Sequence, residues 1–178
     1  HKISQADVYE EQKIALLVEL GELANELQFF KYWKDNPVPK FHVPCKACQG
    51  TGKELREWGE DDDCVFCEGT GKDTRQNPVL EEYVDVLHFM LTATLNKFPN
   101  DVDMGSFLVK LKPLQYPDLT QQFSSLYYHI ANNVWVHLDM AWRLFLGLGK
   151  MLGFSEDDVL NAYEEKNKEN YARQERGY

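Results

Sequence analysis

No stretch of this 178-residue chain is both long and free of charge. A helix that spans a bilayer needs about 20 consecutive apolar residues, so a membrane protein of that kind is excluded. The N-terminal HKISQADVYE carries no apolar segment of the sort a secretory signal needs, and a cytoplasmic protein is expected. The first residue is His1 rather than Met, which suggests a trimmed start. Positive charge is scarce: 19 Lys and Arg stand against 29 Asp and Glu, for a formal net charge of -10. That balance argues against nucleic acid gripped through the general surface field, although an acidic protein still binds phosphates through bridging metals. Cysteine is missing everywhere except between Cys45 and Cys67. With 43% hydrophobic residues the chain has enough apolar material for a real core, and its length suits one domain over residues 1–178.

Two helical stretches carry paired acids. From Ile14 to Lys34 the chain reads IALLVELGELANELQFFKYWK. At about 100° per residue, Leu16, Leu20, Leu23, Ala24 and Leu27 form an apolar arc, with Glu19, Glu22 and Glu26 beside it. A solvated face is the ordinary fate of such glutamates, but Ala15 and Phe30 share their sector. The helix is expected to end between Trp33 and Asn36, ahead of Pro37 and Pro39. After Pro78 a second helix is apolar around most of its circumference, through Leu80, Val84, Val86, Leu87, Phe89, Met90, Leu91 and Leu95. Such a helix is normally buried. Glu82 and Asp85 sit on it one turn apart, and burying them without a cation or donors costs several kcal/mol (roughly). Four carboxylates in one cleft, Glu19, Glu22, Glu82 and Asp85, therefore read as a magnesium site for a polyphosphate. Glu81 points to a flank, and His88 is expected in a structural hydrogen bond.

Between these helices, residues 41–77 form an insertion with an internal repeat, CKACQGTGK from Cys45 and CVFCEGTGK from Cys64, joined by the acidic Glu60 to Asp63. Two CxxC pairs at this separation suit one tetrahedral ion, so Cys45, Cys48, Cys64 and Cys67 are expected to hold a structural zinc. Two disulfides are the alternative, disfavoured in a reducing compartment. The repeat resembles the CxxCxGxG elements of the DnaJ zinc-binding region, a likeness confined to the insertion.

Pro99 to Leu119 reads as a connection with a short helical piece. A long helical region is expected from about Thr120 to Leu152, through Phe123, Leu126, Tyr127, Ile130, Val134, Leu138, Trp142, Leu144 and Leu148. Gly153 then suits a helix C-terminal turn, and Ser155 with Asp158 makes a capping box for a last helix from Glu156 to about Gln174. On that helix Lys166, Asn170 and Arg173 share a face, a pattern suited to a phosphate-bearing ligand, though a solvated helix end fits the spacing as well.

Taken together, ALLVELGELANE from Ala15, FKYWK from Phe30, VLEEYVDVLHF from Val79 and the ending KNKENYARQERGY resemble the all-α nucleoside triphosphate pyrophosphohydrolases, and among them the dimeric dUTPases. The resemblance implies an all-α helical bundle, a homodimer, and hydrolysis of dUTP to dUMP and pyrophosphate with Mg²⁺ bound by Glu19, Glu22, Glu82 and Asp85. It further implies that Lys166, Asn170 and Arg173 bind substrate and that Trp33 and Lys34 lie near the nucleotide. Glu19 or Glu22 is the better candidate to take the proton of the attacking water, because the first helix has a surplus acid in Glu26. The insertion departs from the family's common pattern, as does the short segment ahead of the first acid helix. Two alternatives stand beside this reading. One is a broader or dCTP-preferring pyrophosphohydrolase of MazG type, and the other a non-enzymatic protein whose zinc module docks a partner.

Overall fold

A computed structural model of the protein describes residues 8–54, 62–98, 103–133 and 137–177. Residues 1–7, Glu60, Asp61, Pro99 to Asp101 and Val134, all cited above, lie outside these. The architecture is all-α. Its helices are α1 (Tyr9–Leu27), α2 (Pro78–Lys97), α3 (Met104–Lys110), α4 (Leu119–Asn133), α5 (Leu138–Met151) and α6 (Glu156–Glu175).

Helix α1 buries Leu16, Leu20, Leu23, Ala24 and Leu27, the expected apolar arc. It ends earlier than the prolines suggest. Gln28 takes a left-handed backbone at φ 59°, and its amide closes on the Ala24 carbonyl at 2.9 Å. The Gln28 side chain then holds the turn, with Nε2 donating to the Val38 carbonyl at 3.0 Å and Oε1 accepting from Lys34 Nζ at 3.0 Å. The chain returns along α1, where the Lys40 amide donates to the Glu26 carbonyl and Lys40 Nζ pairs with Glu26 at 2.9 Å. A side chain that satisfies the returning backbone outcompetes further helix here.

Helix α2 begins as expected, with Pro78 in its first turn and the Asn77 side chain accepting from the Leu80 amide at 3.1 Å. It packs against α1, α5 and α6. Tyr83 stacks on Phe145 of α5, ring centroids 4.3 Å apart, and donates its hydroxyl to the Phe145 carbonyl at 3.2 Å. Lower down, Trp142 Nε1 donates to Thr94 Oγ1 at 3.0 Å, and Thr94 donates to the Met90 carbonyl at 2.7 Å. Both polar groups are thereby satisfied in the core.

The expected long helix from Thr120 to Leu152 is instead two, α4 and α5, packed against each other. One continuous helix of that length would span about 50 Å. Phe123, Leu126 and Ile130 of α4 and Ala141, Trp142, Leu144, Phe145 and Leu148 of α5 all belong to one buried cluster, which a straight rod of that length could not supply. The segment after α3 crosses α5 so closely that a Cβ on Gly147 would lie 1.9 Å from the Leu114 carbonyl oxygen. Only glycine permits that crossing.

Helix α6 starts with the expected capping box: Ser155 Oγ accepts from the Asp158 amide at 3.1 Å, and Asp158 accepts from the Ser155 amide at 3.0 Å. Gly153 supplies the preceding turn at φ 78°. The helix is polar, none of its described residues is fully buried, and it lies along α2. In the insertion, β1 (Val43–Pro44) pairs antiparallel with β2 (Lys72–Asp73), with Val43 opposite Asp73.

Candidate active site and metal centre

The seam between α1, α2 and α6 collects carboxylates. Glu19 of α1 and Glu82 and Asp85 of α2, all half-buried, present oxygens that lie within 4.8 Å of one another. Helix packing explains the meeting, because each acid stands beside the apolar face that docks α1 on α2. Burial raises the Glu82 carboxyl to about 7, reinforced by the charges of Asp85, Glu22 and Glu19. Its Oε2 is buried and has no hydrogen-bond partner among the described residues. Glu19 is likewise raised, first by burial and then by Asp85 and Glu22, with Lys166 pulling the other way. An orphaned carboxylate oxygen beside two more acids is short of positive charge. Hard oxygen donors in such a group fit magnesium.

Glu22 is exposed and stands outside the close trio, although its charge is felt by both Glu19 and Glu82. Glu26, on the same stripe of α1, is taken up by Lys40. Among the described residues the cation paired with the group is Lys166 of α6, whose Nζ lies 2.7 Å from Asp85 Oδ2. Burial opposes its charge, but the hydrogen bond and charge of Asp85 hold the ammonium above its ordinary range.

Of the other residues singled out in the sequence, Asn170 is half-buried on α6, and Arg173 is exposed and paired with Glu169. Trp33 and Lys34 belong to the turn after α1. Trp33 is largely exposed against Phe30 and Tyr32, while Lys34 is engaged with Gln28. Among the described residues no hydrogen bond or ion pair joins these four to Glu19, Glu82 or Asp85.

His88 departs from expectation. It makes no structural hydrogen bond through Nε2, which is buried without a partner among the described residues, and instead stacks on Tyr163 of α6 at 4.3 Å and 16°. Burial lowers its pKa, favouring the neutral ring. Tyr163 went unread in the sequence. Its signal is its place one turn before Lys166, on the same side of α6.

The four cysteines also meet. Cys45, Cys48, Cys64 and Cys67 are all buried and reduced, with their sulfurs within 4.8 Å of one another. The repeat is visible in the hydrogen bonds: the Gly52 amide donates to Cys48 Sγ at 3.3 Å, and the Gly71 amide to Cys67 Sγ at 3.2 Å. Positive φ at Gly52 and Gly71 lets each amide turn back on its sulfur, and a Cβ on either would strike the backbone of the opposite knuckle at about 2.3–2.4 Å. Against the cost of burial, the bonds from Gly52, Cys67, Cys45 and Gly50 bring the Cys48 thiol down to about 6, while burial pushes Cys64 up to about 11. Four converging sulfurs with amide donors fit a metal that prefers thiolate.

A family model described as dUTPase matches residues 1–43 and 69–178. The unmatched part, 44–68, contains all four cysteines. No match was found among the curated proteins or among the solved structures.

Proposed function

The chain belongs to the dUTPase family and is a dUTP diphosphatase, and from that premise we propose how its residues divide the work. Glu19, Glu82 and Asp85, with Glu22 at the rim, hold Mg²⁺. The observation that supports this most directly is the convergence of three half-buried carboxylates with an unpartnered oxygen on Glu82. When bound, magnesium offsets the charge of the phosphate chain and makes a water easier to deprotonate.

Glu19 and Glu22 are the two candidates for the proton acceptor. Exposure on the solvent side favours Glu22, which meets incoming water at the rim, outside the trio. Lys166 is already at the acids and is placed to meet the phosphates that arrive there. Asn170 and Arg173 extend the same face of α6, and Arg173 exchanges Glu169 for phosphate oxygens, which its planar fork binds two at a time. Trp33 and Lys34 approach the nucleotide from the turn after α1. The four cysteines hold a structural Zn²⁺, since four thiolates leave no open coordination position. The active species is a homodimer in the cytoplasm.

The test is a panel of dUTP, dUDP, dCTP and dTTP with Mg²⁺, with products resolved by chromatography. The expected result is dUMP and pyrophosphate from dUTP, well ahead of the other triphosphates. Equal turnover of every pyrimidine triphosphate would instead favour the broader pyrophosphohydrolase.

A further inference from the structure

Helix α6 carries the cation that reaches the acid group, yet little fixes α6 in place. None of its described residues is fully buried. Along its first half runs a pocket of about 640 Å³ open to solvent, lined by Leu87 and Leu91 of α2, Phe145 of α5 and Val159, Leu160 and Tyr163 of α6. A helix that borders an open pocket lacks, on that side, the close packing that sets the register of a core helix. The Lys166 side chain has a flexible four-carbon stem and would reach Asp85 from several placements of α6.

One contact has the geometry to choose among them. One turn beyond Asp85 on α2 stands His88, and one turn before Lys166 on α6 stands Tyr163. Their rings stack at 4.3 Å and 16°, beside the 2.7 Å Lys166–Asp85 pair. The two rungs together make α2 and α6 antiparallel. Flat rings in near-parallel contact tolerate little sliding or tilt, whereas a single ammonium tolerates both.

We propose that Tyr163 is a positioning residue for nucleotide binding: its stack on His88 sets where α6 docks along α2, and so delivers Lys166 to the acid group and its phosphates. The proposal rests on the substrate role assigned to Lys166 above. Tyr163 acts through Lys166 and touches neither metal nor nucleotide itself.

A double-mutant cycle on the full chain tests it, using Tyr163→Leu, which keeps apolar bulk at the pocket edge, Tyr163→Phe, which keeps the stack, Lys166→Met, and the Tyr163→Leu/Lys166→Met pair. For each, kcat and KM for dUTP are measured, along with calorimetric binding of the non-hydrolysable α,β-imido analogue of dUTP and the melting temperature. The expected result is that Tyr163→Leu weakens KM and analogue binding roughly tenfold, as a small displacement of a positioned group does. Tyr163→Phe should stay within about twofold, because the hydroxyl plays no part in the stack. In the Lys166→Met background, Tyr163→Leu should add nothing further. If Tyr163→Leu lowers the melting temperature alone, or if its effect on binding multiplies with that of Lys166→Met, the positioning role is overturned while Lys166 keeps its own. If Lys166→Met binds the analogue like the wild type, the substrate role of Lys166 falls, and the positioning role with it.

Discussion

Gln122 is fully buried in α4, and its amide ties three strangers together. Its Nε2 donates to the Leu114 carbonyl at 2.9 Å and to the Leu144 carbonyl at 2.6 Å, while its Oε1 accepts from the Tyr116 amide at 2.7 Å. Gln122→Leu removes a partner from each backbone group and is expected to cost about 3 kcal/mol, read from the urea midpoint. Glu82 makes the second prediction at this scale. Its carboxyl is raised to about 7, chiefly by burial, so the folded state holds a proton that the unfolded chain releases near 4.5. Between those values the native state binds more protons, and stability falls as pH rises. In magnesium-free buffer the melting temperature should drop from pH 5 to pH 8, less steeply in Glu82→Gln, and Mg²⁺ should restore it most at the alkaline end. A flat profile in both proteins would remove the buried charge from the account. The two residues differ in how readable they are. Glu82 announces itself as an acid on an apolar helix. Gln122 sits in an ordinary-looking TQQF run, and its partners come from an irregular segment whose course no local pattern reveals.

Among the elements, the acid helices and the capped α6 were legible because periodicity and capping are local properties. The end of α1 was not, since Gln28 stops it through contacts with Val38 and Lys34 that depend on the chain turning back. The break between α4 and α5 was hidden for a related reason: both halves carry helical periodicity, and the need to fill one core divides them. The cysteine insertion was the most legible element, because its repeat fixes its own geometry. Its expected zinc content is one ion per chain by elemental analysis, with the thiols unreactive toward a disulfide reagent until a strong chelator is added. Cys45→Ser with Cys48→Ser should abolish zinc binding while leaving most of the helical circular dichroism, because Lys40 and Val38 anchor the stem to α1 without the cysteines. Loss of the helical signal in that variant would make the insertion part of the helical scaffold after all.

For the molecule as a whole, the helices bring together acids separated by some sixty residues, and α6 adds its lysine from eighty residues further on. The sequence could supply the acids and the lysine separately. Their meeting at one seam, with Glu22 at its edge and Arg173 still paired to Glu169, belongs to the tertiary structure. The proposed homodimer predicts light scattering at twice 20.8 kDa; a mass of 20.8 kDa would contradict it. The most direct test of the acid seam is the rate of dUTP hydrolysis by Glu82→Gln, a nearly isosteric change that leaves the helix packing in place, with Mg²⁺ saturating for the wild type. Loss of a charge proposed to hold the metal predicts a fall of about 100-fold or more, with circular dichroism unchanged. Hydrolysis at the wild-type rate would contradict it and move the metal site elsewhere.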